Sequence, residues 1–391
     1  MKIARIRAVA LEATFARQFG GIEKVPPQLL RPAAHFQKIV RAGQYATLVF
    51  VTAEDGSTGV GEAFGLPHPA PTAALVENVI APGLIGTTLG DPHEMLAEYR
   101  FYFAAMGHAR GMPAEAMSAV DIALWDLKAK LAGKGLCEIL GGTRGPVPLY
   151  VSPVPFLPTL DASAAAAKAF VDQGYKAIKL KVGRGAAIDL AHIEAVRAAI
   201  GPAPGLMLDV NCGYSEATAI EVGAQLHRHG VTWFEEPIPP GDPAALARVR
   251  AKSSVPISTG ENEFAFADFE ALAKADATDF LMPNIARAGG VSGVMAIGRL
   301  CAAHGIKLSP HGVGSCVSVA TAIHVCRAAE GFGIYEANRL PNPLRDDMAA
   351  QKLVLEDGAF QTPAGPGHGG DPKPESVREF DIAARHRPSA A

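Results

Sequence analysis

Three carboxylates stand at the ends of three successive apolar runs. LDVN (208–211) carries Asp209, WFEEP (233–237) carries Glu235 and GEN (260–262) carries Glu261. If these runs are neighbouring strands, about 4.8 Å apart, three inward carboxylates converge on one point. Like charges that close repel one another unless a cation lies between them. Oxygen-only donors favour a hard ion, Mg²⁺ or Mn²⁺, over zinc. Any one of these acids alone is ordinary at a strand end; their matching position on three strands is not. Glu236, next to Glu235, is expected to face the other way, because strand neighbours alternate.

Lys179 and Lys181 lie two residues apart in KAIKLKVG (176–183), so they share one strand face. Neighbouring ammonium groups depress each other's pKa, which favours a neutral lysine able to act as a base. A lysine pair fraying into solvent is the alternative reading. His311 ends the run SPH (309–311), across the mouth from the lysines in a closed ring of strands. Bases on two sides of one carbon address both of its faces. A structural histidine, hydrogen-bonded inside the fold, is the alternative there. MPN (282–284) and YE (335–336) put Asn284 and Glu336 at the ends of two more runs. Polar groups in such positions are costly to bury unless they are paired or bind an ion.

The elements that must hold these residues form a regular series. Short β-rich runs recur at 148–152, 177–182, 206–211, 232–237, 256–261, 279–284, 307–311 and 334–338, with helical stretches between them. Eight βα units predict parallel strands and the count of a (β/α)8 barrel, which places its site at the carboxyl ends of the strands. A doubly wound sheet is the alternative, because periodicity does not show closure. Before this series, residues 2–11 and 45–52 read as strands, and 116–131 has clear helical spacing. Residues 15–38 and 61–71 are rich in glycine and proline and read as long lid loops.

The chain has 391 residues, 49% of them hydrophobic, enough for a large core. Its net charge of −3 gives no basic excess for nucleic acid. No apolar run approaches the roughly 20 residues of a bilayer span. Arg5, Arg7, Glu12 and Arg17 interrupt the start of the chain, so no secretory segment is expected. The five cysteines form no CxxC pair, which fits reduced thiols in a cytoplasm. Neither a GxGxxG fingerprint after a strand, nor a P-loop, nor a Gly-x-Ser-x-Gly elbow occurs.

The motifs above, with AVDIALWDLKAK (119–130), LGG (140–142) and MPNIARAGGVSG (282–293), resemble the enolase superfamily, mandelate racemase/muconate lactonizing enzyme type, over almost the whole chain. The resemblance implies an α/β fold: a (β/α)7β TIM-like barrel under an α+β capping domain. The cap would comprise residues 1–130, with the lid loops, and the barrel residues 131–360. Residues 361–391 would return to the cap. It also implies Mg²⁺ at Asp209, Glu235 and Glu261, with Lys181 as the α-proton base and Lys179 as its electrostatic helper. His311 matches the family's strand-seven histidine. Glu336 matches an acid that binds the substrate carboxylate, and Asn211 a polar position beside the metal. A lysine or histidine base working with Mg²⁺ is the family's general chemistry.

One departure matters. Where the mandelate racemase subgroup pairs its histidine with an aspartate, this chain has Asn284. An amide orients an imidazole but does not stabilise an imidazolium as a carboxylate does. His311 is therefore expected to be a weaker base, which favours one-base elimination over a two-base racemase; Asn284 is grouped with Asn211 and Glu336 as substrate-binding. The expected activity is Mg²⁺-dependent removal of the α-proton of a carboxylate by Lys181, followed by loss of water, as in an acid-sugar or hydroxy-acid dehydratase. A racemase, epimerase or cycloisomerase using the same enediolate is the alternative. A binding protein that has lost its chemistry is a minor one. The expected partner is a small carboxylate, with no nucleic acid and no membrane. The expected assembly is a homo-oligomer, dimer or octamer. Lys24, Arg31, His35 and His68 of the lid loops are candidates for substrate contact.

Overall fold

The structure is a computed structural model that describes residues 1–31, 33 and 38–385. Its N-terminal part is an antiparallel sheet of β1 (Ile3–Thr14), β2 (Gly43–Ala53) and β3 (Thr58–Ala63), in that order. The helix Met112–Leu131 packs on this sheet, four residues longer at its start than its apolar spacing suggests. Its fit depends on glycine: a Cβ on Gly61 of β3 would stand 1.9 Å from the Ala119 carbonyl oxygen.

Eight parallel strands follow: β4 (Pro146–Val154), β5 (Ala177–Lys181), β6 (Gly205–Asp209), β7 (Val231–Glu235), β8 (Ile257–Thr259), β9 (Phe280–Leu281), β10 (Lys307–Leu308) and β11 (Tyr335–Asn338). Neighbours pair in chain order from β4 to β10, and β11 pairs with β4. A parallel bridge from Leu308 to Phe332 joins β10 to the segment before β11. The sheet therefore closes, which decides for a barrel over a doubly wound sheet. Helices such as Ala186–Ile200, Gly290–His304 and Cys316–Cys326 connect the strands. Strands buried on both faces read as near-continuous apolar runs, as in Leu206–Leu208.

Inside the barrel, side chains stack in layers. Tyr150, Ala177, Met207, Trp233 and Met282 form an apolar plug. Two residues further along three of these strands, on the same face, stand Lys179, Asp209 and Glu235. The plug is thus the floor of the polar mouth, and burial of aromatic surface there fixes the level of the charged layer above.

Two acids of the N-terminal part lock it to the barrel. Glu62 of β3 accepts the N–H groups of Ser315 at 2.7 Å and Ser318 at 2.8 Å, at the start of the helix Cys316–Cys326. Asp121 accepts the Ser292 N–H at 3.0 Å, in the first turn of the helix Gly290–His304. Carboxylates there satisfy orphan donors and complement the helix dipole. The C-terminal segment returns to the N-terminal part through a bridge between Leu11 of β1 and Asp381 and a 2.9 Å hydrogen bond from His368 N–H to Asp126 of the helix Met112–Leu131.

The first lid stretch is less irregular than its composition suggests. Short helical turns at Phe15–Phe19, Ile22–Lys24 and Pro27–Leu30 bury Phe15, Val25 and Leu29 against Leu340, in the loop after β11. His35 lies outside the described residues. Among the described residues no helix is long and apolar enough to cross a membrane.

Candidate active site

Lys181, Asp209 and Glu235 are in register on β5, β6 and β7, so the three stand level at the barrel mouth. Glu261 reaches the same point differently. It lies two residues beyond β8, after Gly260, whose φ of 122° turns the chain where a Cβ would stand 3.1 Å from Phe269. Ligand oxygens of Asp209, Glu235 and Glu261 all lie within 4.8 Å of one another.

Lys179 ties the acids together from below. Its ammonium is 2.6 Å from Glu235, 3.1 Å from Glu336 and 3.6 Å from Asp209, and it lies 5.5 Å from the centre of the Tyr150 ring. Burial alone would depress Lys179, but Glu235 and Glu336 outweigh it and hold the amine well above its ordinary value. Lys179 is therefore a fixed positive charge. Lys181 donates to Asp209 and, at 2.8 Å, to the Asn211 side-chain oxygen. Burial pulls Lys181 down, but Asp209, Glu261 and Glu235 together outweigh it and its pKa is raised. Mutual depression by the lysine pair, expected from the sequence, is present but is outweighed by the acids.

The acids outnumber the lysines. Burial would raise Asp209, but Lys181 and Lys179 hold it low. Burial pushes Glu235 well above the carboxylate range; Lys179 opposes this, and Asp209, Glu261 and Glu336 add to it. Glu236 differs from its sequence expectation. At the end of β7 its φ of 40° breaks the alternation. Its buried carboxylate receives Asn262 Nδ2 at 3.0 Å and Cys212 Sγ at 3.3 Å, beside the triad rather than away from it. Strand alternation stops applying where the strand ends, and the doubled acid of WFEEP was the available signal.

His311 Nε2 lies 3.2 Å from Glu261 Oε2 and 3.7 Å from Glu336 Oε2. The first contact is not a hydrogen bond in its geometry, and Glu261 Oε2 is buried with no hydrogen-bond partner. This orphaned oxygen and the all-oxygen donor set fit a hard divalent cation. Glu336 also accepts the Gly312 N–H at 3.0 Å. Asn211 is committed to Lys181 and Asp209. Asn284, expected to bind substrate, is fully buried, and its amide is used on the protein itself: it meets His311, Val313 and Ala286. The packed turn after β9 turns its side chain towards the next strand's loop instead of the mouth.

The second lid stretch supplies a wall. The Phe64 ring lies 6.2 Å from the His311 ring, and the Arg287 guanidinium lies 3.8 Å from the centre of Phe64. Composition gave no signal for Phe64. His68 caps the helix Pro69–Leu75 through Nδ1 at 3.3 Å, and its ring lies 6.2 Å from that of Tyr45.

Comparison with known proteins agrees with this geometry. The Enolase C-terminal domain-like family matches residues 162–376. The mandelate racemase/muconate lactonizing enzyme N-terminal domain matches residues 24–141. The chain belongs to the mandelate racemase/muconate lactonizing enzyme family of the enolase superfamily. Relatives of this family member include the D-galactarolactone cycloisomerase of Agrobacterium fabrum, 33% identical over 85% of this chain and 90% of that one. The L-talarate/galactarate dehydratase of Salmonella typhimurium is 35% identical over 67% of this chain and 66% of that one. A racemase from Streptomyces coelicolor, solved with bound magnesium, superposes with a TM-score of 0.86 at 25% identity, covering 97% of this chain and 100% of that one. The enolase-superfamily assignment makes this chain a lyase or isomerase, and its named relatives are acid-sugar dehydratases and cycloisomerases.

Proposed function

We propose that the protein is a Mg²⁺-dependent dehydratase acting on a hydroxylated carboxylate of the acid-sugar class. The observation that carries this reading is Lys181, level with a converging triad of acids and facing the mouth beside a fixed charge on Lys179. Mg²⁺ held by Asp209, Glu235 and Glu261 would bind the substrate carboxylate, take up the negative charge that develops on it and weaken the hold of the acids on the Lys181 proton.

The chain's own groups do the rest. Lys181 takes the α-proton. The electron pair left behind forms the α–β double bond as the β-carbon–oxygen bond breaks, and the leaving hydroxide takes back one proton, balancing the one held on Lys181, and departs as water. The resulting enol becomes a 2-keto acid. We assign His311 to the leaving oxygen and Glu336 to the substrate carboxylate, with Lys179 holding Glu336 at 3.1 Å from beneath. The Phe64 wall and the tight plug exclude bulk water, which strengthens each charge interaction.

Ring opening or epimerisation through the same first step is the second reading. It is favoured by the 33% identity to a cycloisomerase over most of the chain. The experiment is turnover in deuterated water with MgCl₂ and a panel of aldonates, aldarates and their lactones, followed by NMR. A 2-keto acid formed with loss of water identifies dehydration, and a 2-keto acid isomeric with a lactone substrate identifies ring opening. Deuterium at the α-carbon without loss of water identifies the second reading.

A further inference from the structure

The amide of Asn284 is fixed from both ends. Its Oδ1 accepts the Ala286 N–H at 2.9 Å, and its Nδ2 donates to the Val313 carbonyl at 3.0 Å. Exchanging oxygen and nitrogen would set carbonyl against carbonyl and N–H against N–H. The second Nδ2 hydrogen therefore serves His311 Nδ1, 2.9 Å away. An amide nitrogen only donates, so Nδ1 must accept. In the singly protonated ring the hydrogen then sits on Nε2. That nitrogen lies 3.2 Å from a Glu261 oxygen and 3.7 Å from a Glu336 oxygen, neither contact being a hydrogen bond in its geometry, so the tautomer rests on the Nδ1 side.

We propose that Asn284 is a positioning residue that holds His311 as its Nε2–H tautomer, so that His311 meets the substrate as a hydrogen-bond donor and not as a proton acceptor. An aspartate at this position would do the reverse. It would accept Nδ1–H and leave the Nε2 lone pair free to take a proton. A singly protonated histidine acting as an electrophilic donor is established enzyme chemistry. The consequence is a one-faced site: the α-proton leaves on the Lys181 side only. That consequence rests on the function proposed above, whereas the tautomer rests on the hydrogen bonds alone.

The test is a two-bond ¹H–¹⁵N correlation spectrum of the full-length labelled protein, with and without MgCl₂. The His311 signals are assigned by their loss in His311→Gln. The expected wild-type pattern is a protonated Nε2 and a bare Nδ1, reversed in Asn284→Asp. A protonated Nδ1 in the wild type overturns the proposal, and this spectrum decides even if Asn284→Asp does not fold. On a turned-over substrate in deuterated water, Lys181→Ala is expected to show no α-hydrogen exchange, and Lys181→Ala with Asn284→Asp to gain it. Exchange in Lys181→Ala with Asn284 intact overturns the one-faced site. Lack of turnover on every acid sugar would count against the proposed function, and the wild-type spectrum would still judge the tautomer.

Discussion

Lys179 Nζ lies 2.6 Å from Glu235 Oε1, and both side chains are essentially inaccessible to solvent. Removing one partner of a buried ion pair leaves an uncompensated charge, at a cost of about 3–5 kcal/mol. Here the amine serves Glu336 as well. Lys179→Met is therefore expected to lose stability in that range in urea unfolding and to lose activity with it. A loss below about 1 kcal/mol, the range of exposed pairs, would contradict the central role given to this charge.

The triad makes a separate prediction. A ligand that binds only the folded state stabilises it by about 2.7 kcal/mol at one hundred times its dissociation constant. MgCl₂ is expected to raise the wild-type melting temperature, and to do so far less in Asp209→Asn and Glu261→Gln. Calorimetry across an MgCl₂ series checks this, and equal shifts in all three proteins would remove the metal from these residues.

The acid that joins the two parts of the molecule gives stability a pH dependence. Burial pushes the Glu62 carboxyl from its ordinary 4.5 up to about 7, against the pull of its bonds from Ser315 and Ser318. A folded-state value above the unfolded one means that the contribution is fully present below about 4.5 and is lost as pH rises through about 7. Unfolding free energy of the wild type minus that of Glu62→Gln is therefore expected to fall by roughly 2–3 kcal/mol between about pH 5 and pH 8. Urea titrations at a series of pH values measure it; a rise over that window would show that Glu62 is ionised in the folded protein throughout.

Substrate choice and metal binding are expected to separate. Phe64 lies 6.2 Å from the His311 ring and offers no ligand atom to the triad. Phe64→Ala is expected to change KM across an acid-sugar panel while leaving the MgCl₂-induced melting shift intact. Equal loss of that shift in Phe64→Ala and Glu261→Gln would merge the two roles.

What the sequence made legible followed from burial. Charged residues ending apolar runs stand out because the surrounding strand has no room for them unpaired, so Asp209, Glu235, Lys179 and Lys181 and the barrel that carries them were readable. Glu261 was readable as an acid, but its turn through Gly260 was not. Glu236 was misread because alternation fails once the backbone leaves the strand at φ 40°. The effect of the lysine pair was overestimated because the strength of Asp209 depends on register, which pairing fixes. Glu62 gave no signal at all: its partner Ser315 is 253 residues away in the chain. The role of Asn284 was half visible, as a departure from the family pattern, but the direction of its amide is set by the Val313 carbonyl and the Ala286 N–H.

The central claim is that Lys181 removes the α-proton of a carboxylate. The most direct measurement is NMR of an acid-sugar panel in deuterated water with MgCl₂, comparing the wild type with Lys181→Ala. The account predicts a 2-keto acid or α-deuterated product from the wild type, and loss of both in Lys181→Ala. Full turnover by Lys181→Ala would contradict it.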